Sequence, residues 1–270
     1  MKQKKWNGYL RVGMVITACM LLLTLVGLFY APYDHTAMNK AEKMLPPSSS
    51  HLFGTDNFGR DIFSRVLKGA GTTLTIALST VVIGAVCGTA VGAVTGYFGG
   101  LVDEGLMRLN DALTAFPSIL LALLIISLTG PGKYNVIAAL GIVFIPSFAR
   151  VTRMSFASLR DVNYITSARL MGASNARILL VHMLPNTMRV LLPAVTIGFN
   201  NAVLAEASMS FLGIGVTPPD ASLGYMLSES QGMFAAAPWY AVCTGLTIAL
   251  LIFGVGLIGE GLQARNREVA

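Results

Sequence analysis

Charge is scarce in this chain. Asp, Glu, Lys and Arg together fill 12% of its 270 positions, about half the ~25% usual in soluble domains. Beside a hydrophobic share of 54%, that poverty excludes a soluble globule and a disordered chain. Cysteine is scarcer still: Cys19, Cys87 and Cys243 are the three, each inside an apolar stretch. An odd number so placed builds neither a disulfide framework nor a metal site. The three histidines, His35, His51 and His182, are scattered over the loops. Neither His-Glu-x-x-His nor Gly-x-Ser-x-Gly occurs, nor a Gly-x-x-x-x-Gly-Lys-Ser/Thr phosphate loop. The expectation is no catalytic residue, no metal and no cofactor in this chain, with any ATP bound by another one.

What the sequence has instead is long apolar runs. Six stand out, at 12–31, 72–98, 112–129, 134–149, 190–213 and 238–258. About 20 apolar residues at 1.5 Å each cross a ~30 Å hydrocarbon core, so the pattern predicts an all-α, polytopic bundle of six transmembrane helices. The second run is long and should tilt; the fourth is short, with Pro146 near its end. Thirteen of the nineteen basic residues fall on one side of such a bundle. They are Lys2, Lys4, Lys5 and Arg11, then Arg108, the six arginines of 150–189, and Arg265 and Arg267. The net charge of +6 therefore reads as positive-inside topology, with both termini cytoplasmic, rather than as a nucleic-acid partner. Residues 2–5 followed by an apolar run resemble a signal peptide, and 16–19 a lipoprotein box. The run continues eleven residues past Cys19, which predicts an uncleaved first span.

The chain divides into a cytoplasmic N-terminus with the first span (1–31), an outside loop (32–71), a five-helix core (72–260) and a cytoplasmic tail (261–270). In the outside loop, 45–50 reads as flexible and 61–68 as a short amphipathic helix. The core contains an inside loop at 150–189, long enough to be functional.

Span two carries Gly84, Gly88, Gly92 and Gly96 at four-residue spacing, a stripe that lets a second backbone approach closely. Residues 254–259 match Gly-x-Gly-x-x-Gly, but follow no strand and lie in an apolar span, so helix packing is the better reading. Glu206 sits in span five with Asn200, Asn201 and Ser210 nearby. A carboxylate at that depth needs water or a partner. Two readings stand: lining of a pathway or gate, or a structural hydrogen bond between helices. In the inside loop, 163–185 reads as helix, break, helix. Gly172 suits the left-handed end of the first helix, Ser174 or Asn175 caps the second, and Pro185 stops it. Ile165, Ala168, Leu170 and Met171 form an apolar patch edged by Arg160 and Arg169. Such an exposed hairpin is built to dock into a partner; an amphipathic hairpin lying on anionic lipid is the plainer alternative.

At this loop the chain resembles the permease subunits of ATP-binding-cassette importers, whose signature runs Glu-Ala-Ala, three residues, Gly, nine residues and on to Leu-Pro. Ala168, Gly172 and Leu184-Pro185 fit that spacing, while Thr166 and Ser167 stand where Glu and the first Ala are common. Tyr164 to Arg169 echoes the Tyr-x-x-Ala-Ala-Arg of the peptide and nickel branch. Residues 52–65 are similar to the Leu-Gly-Thr-Asp-x-x-Gly-Arg-Asp segment of its "C"-type permease. Residues 103–111 resemble its Asp-x-x-x-Met-Arg-x-x-Asp, and 206–215 with Pro218-Pro219 its Glu-Ala-x-Leu-Ser-Phe-Leu-Gly run. Leu223 replaces a Trp usual before Gly224. The resemblance covers about residues 10 to 260. It implies a second permease subunit, two ABC ATPase subunits carrying ATP and magnesium, an extracytoplasmic binding protein and surrounding membrane lipid. It also implies ATPase coupling through Tyr164, Ala168, Arg169, Gly172, Ala173, Leu184 and Pro185. Asn200, Asn201, Glu206 and Ser210 become candidates for the pathway lining. The cargo implied is dipeptide, oligopeptide, nickel or a metal chelate. The rival is an ATP-independent channel or secondary transporter using Glu206.

Overall fold

A computed structural model describes residues 8–267; Lys2, Lys4 and Lys5 and the side chain of Arg267 lie outside the described residues. The chain is mostly helical, with one isolated bridge, Thr55–Asp61, as its β-type pairing among the described residues. Helices α1 (Gly8–Phe29), α2 (Ile62–Phe98), α5 (Lys133–Leu159), α8 (Leu184–Phe211) and α10 (Pro238–Arg267) are long and apolar enough to cross a membrane. Helices α3 (Gly100–Thr114) and α4 (Ser118–Thr129) form a pair bent by 84°. Counted as one broken span, they make the sixth. Among the described residues the shorter α-helices are α6 (Asn163–Leu170), α7 (Asn175–Arg177) and α9 (Leu223–Gln231).

Prolines account for most departures from the apolar runs. The third run does not form one straight helix. Pro117 is extended, at φ −53° and ψ 127°, and its ring disfavours helical geometry at Phe116. Beyond the break α4 is about 18 Å long, too short to span alone. Pro146, by contrast, lies inside α5, which continues through residues 150–159 to Leu159. The first ten residues of the segment read as the inside loop are therefore helical. Pro185 does not stop a helix either. The stretch Ile178–Met183 is π-helical, with the Leu184 N–H donating to the Leu179 carbonyl five residues back. The widened turn carries the chain past the proline, and α7 runs into α8 without a break.

At 37 residues, about 55 Å, α2 absorbs the segment read as a separate amphipathic helix. Asp61 caps it, its side chain accepting from the Ser64 N–H at 2.7 Å. The glycine stripe of α2 lies against α5. A Cβ at Gly88 would stand 2.6 Å from the Ile145 carbonyl oxygen, and one at Gly96 2.6 Å from that of Arg153. At Gly92 it would overlap the Ala149 carbonyl, and at Gly84 it would stand 2.8 Å from Phe144 Cβ. Gly88→Ala is accordingly expected to cost about 1–3 kcal/mol by forcing two backbones apart. Gly245→Ala, where nothing lies within 4 Å, should be neutral or stabilising, because alanine is the better helix former. Thermal unfolding of the detergent-purified chain measures both, and equal shifts would contradict the packing argument.

Candidate functional site

At one end of the bundle stands the hairpin of α6 and α7. Gly172 has φ +81° and closes the helix end as a Schellman turn. Its N–H bonds the Arg169 carbonyl and the Ala173 N–H the Ala168 carbonyl, each at 3.0 Å. Ser174 then caps α7, accepting from the Arg177 N–H. The patch read from the sequence divides. Ile165 is buried with Phe156, Ile178 and Met183 and Ala168 is buried as well, while Leu170 and Met171 are 84% and 82% exposed at the tip. Arg169 lies over the Tyr97 ring at 5.7 Å, and the Tyr97 hydroxyl donates to Asn175 Oδ1 at 2.8 Å. Tyr164 accepts from Asn186 Nδ2 at 3.2 Å. Leu184 is half-buried and Pro185 exposed. The hairpin is thus braced on α2 and α5 and presents two bare apolar side chains.

A groove of about 500 Å³ opens between α4, α5 and α8. Ser118, Ser147, Asn201 and Ser208 give it hydroxyl and amide groups on an apolar wall that includes Phe144 and Phe148. None of its lining residues is charged. Of the four residues considered for a pathway, Asn201 faces this groove and the others do not. Glu206 lies five residues further along α8, about 140° around the helix, and is fully buried, as is Ser210. Glu206 accepts from Thr73 Oγ1 of α2 at 2.8 Å and from Ser210 Oγ at 2.7 Å. Thr73 Oγ1 in turn accepts from the Leu223 N–H, and Ser210 Oγ from the Val216 N–H. The carboxyl therefore stitches α2, α8 and the start of α9 together. Asn200 turns toward α10, where a Cβ at Gly256 would come 3.1 Å from its Nδ2.

The opposite end holds an ionic cluster. Arg65 Nη1 donates to Asp56 Oδ2 (2.7 Å) and Tyr240 Oη (2.8 Å), and its Nη2 to Glu229 Oε2 (2.6 Å). Arg60 donates to Asp56 Oδ2 at 2.6 Å and Glu229 Oε1 at 2.9 Å. Asp56 is fully buried and Arg65 3% exposed. Two cations face two anions, so the desolvated charges balance. Sequence reasoning picked out the 52–65 motif without its partner; nothing local marks Glu229 as the acid it meets. On the adjoining loop the Thr36 N–H and hydroxyl hold the Asp34 carboxyl below its ordinary range, and partial burial pushes His35 down.

The family described as binding-protein-dependent transport system inner membrane component matches residues 88–268. The dipeptide transport system permease protein DppC of Alkalihalophilus pseudofirmus is 36% identical over 262 residues, 97% of this chain and 86% of that protein. The glutathione transport system permease protein GsiD of Escherichia coli is 40% identical over 264 residues, 96% and 87% respectively. Among solved structures, an inward-facing conformation of the MetNI methionine ABC transporter superposes with a TM-score of 0.59 at 22% identity. The match covers 76% of this chain and 96% of that one, and establishes a shared fold.

Proposed function

The chain belongs to the binding-protein-dependent transport system inner membrane components, and on that premise we propose how its parts serve an ATP-driven importer. It is a multi-pass permease subunit of the inner membrane, of the "C" type within the peptide and nickel branch. The α4–α5–α8 groove forms this chain's share of the translocation path, closed by a second permease subunit. Two ABC ATPases, holding ATP and magnesium, sit beneath the hairpin end, and both termini lie on that cytoplasmic side. The hairpin is the coupling element: Leu170 and Met171 enter the ATPase surface, while Gly172, Ala173 and Ala168 hold the turn that presents them. Residues 30–61 and 212–237, joined by the Asp56–Arg65–Glu229 cluster, face the extracytoplasmic binding protein.

The observation that carries this reading is the uncharged, hydroxyl- and amide-bearing groove on the same chain as a braced docking hairpin. A path of that chemistry suits a short peptide, which offers amides to hydrogen-bond along its length, and the relatives named for dipeptide and glutathione transport support that cargo. An ATP-independent carrier built on Glu206 loses its main support, because that carboxyl has no opening to the groove. Reconstituted with its second permease and ATPases, and with binding protein on the outer face, the chain is expected to drive accumulation of a labelled dipeptide only when ATP is supplied. Uptake that persists without ATP would point to a channel or secondary transporter instead.

A further inference from the structure

At the hairpin end of the bundle, a cavity of about 290 Å³ opens between the start of α8 and the end of α10. Arg189 and Arg265 stand over its apolar floor of Leu192 and Leu262. Both arginines are exposed, and among the described residues neither makes an ion pair. Glu260, the carboxylate of α10 among the described residues, does not line the cavity. Asn266 Nδ2 donates to the Arg189 carbonyl and so ties together the two helix ends that carry the arginines. A second, almost wholly apolar groove of about 420 Å³ lies between α2 and α8, and Met188 and Leu192 are walls of both. On α2 it runs from Ala85 to Ala93, about 12 Å of helix, against the ~15 Å that one leaflet contributes to the hydrocarbon core.

We propose that this two-part surface binds one anionic phospholipid from the leaflet at the hairpin end. Its phosphate lies between Arg189 and Arg265, and an acyl chain runs along the α2–α8 groove. Guanidinium groups suit a phosphate because they can offer paired N–H donors, and basic pockets between spans are the usual headgroup sites. A soluble ATPase would not follow a groove that climbs about 12 Å along an apolar span, and a neighbouring helix would have no use for two cations beside its apolar strip. The site is independent of which cargo the protein moves.

Native mass spectrometry of the full chain with its co-purifying subunits tests this, titrating phosphatidylglycerol, phosphatidylcholine and glycerol phosphate. Phosphatidylglycerol is expected to bind at least about tenfold more tightly than phosphatidylcholine. In R189Q/R265Q that affinity should fall about thirtyfold, the effect of two charges near a membrane surface, and R189K/R265K should restore most of it. Leu192→Trp, which fills the shared wall and leaves both arginines, should also release the lipid. Unchanged phosphatidylglycerol binding in R189Q/R265Q would overturn the proposal. So would equal competition by glycerol phosphate, which would mean a free-phosphate site. Loss of the ATPases from R189Q/R265Q with lipid binding intact would reassign the arginines to subunit docking and overturn it as well.

Discussion

Replacing Leu170 and Met171 together with aspartate is expected to strip the ATPase subunits from the purified complex while the membrane bundle stays assembled. Both side chains are more than 80% exposed, so the change costs the fold of this chain little. Apolar anchors that fill pockets at an interface are worth about 2 kcal/mol or more each, and two of them imply association weaker by about a thousandfold. Gly172→Pro should give the same loss by a different route. Proline is held near φ −65°, whereas Gly172 sits at +81°, and proline has no N–H for the Arg169 carbonyl. Gly172→Ala keeps that N–H and should be milder, about 1–2 kcal/mol of left-handed strain. Pull-down of the tagged chain from its membranes, then ATP-driven uptake, reads all three. ATPases retained at the wild-type level in both the aspartate and proline variants would remove the hairpin from its coupling role.

The second large effect is expected at the other end. Asp56→Ala leaves Arg65 buried against a single remaining carboxylate, and breaking a buried ion pair from one side costs about 3–5 kcal/mol. Because Glu229 belongs to α9 and Tyr240 to α10, the damage should spread from the loop to the surface offered to the binding protein. Stimulation of ATP turnover by loaded binding protein should then fall further than basal turnover. A double-mutant cycle of Asp56→Asn and Arg65→Gln, read by thermal unfolding, should show coupling of about 1 kcal/mol or more. Simple additivity would mean that the two residues act separately, and Lys43→Ala at an exposed position of the same loop provides the control for nonspecific loosening.

Three prolines show where sequence reasoning reached its limit. Pro117 breaks its helix, Pro146 is carried inside one, and Pro185 comes just after a π-helical stretch. Each lacks an N–H and has the same ring. The outcome depends on what packs against the freed backbone, which no local pattern records. The hairpin turn was legible because Gly172 meets a local demand, a left-handed residue after α6 and then a serine cap. The glycine stripe was legible as a close-approach surface, although nothing in its spacing named α5 as the helix it meets. The division of the hairpin's apolar residues into buried Ile165 and Ala168 and bare Leu170 and Met171 was not legible, because Phe156 and Met183, with which Ile165 is buried, lie outside α6.

Composition and spacing by themselves determined a membrane protein of about six helical spans, a crowded second span and an exposed hairpin after the fourth. Those features rest on properties that neighbouring residues share: apolar length, helical period, a left-handed turn. Tertiary structure alone decided that Asn201 opens to a groove while Glu206, on the same helix, is closed off beneath Thr73 and Ser210. It alone joined Arg60 to Glu229 across 169 residues of chain. A helix's period says that its faces differ without saying which neighbour each face will meet. A buried charge finds its partner only when the fold brings the two together.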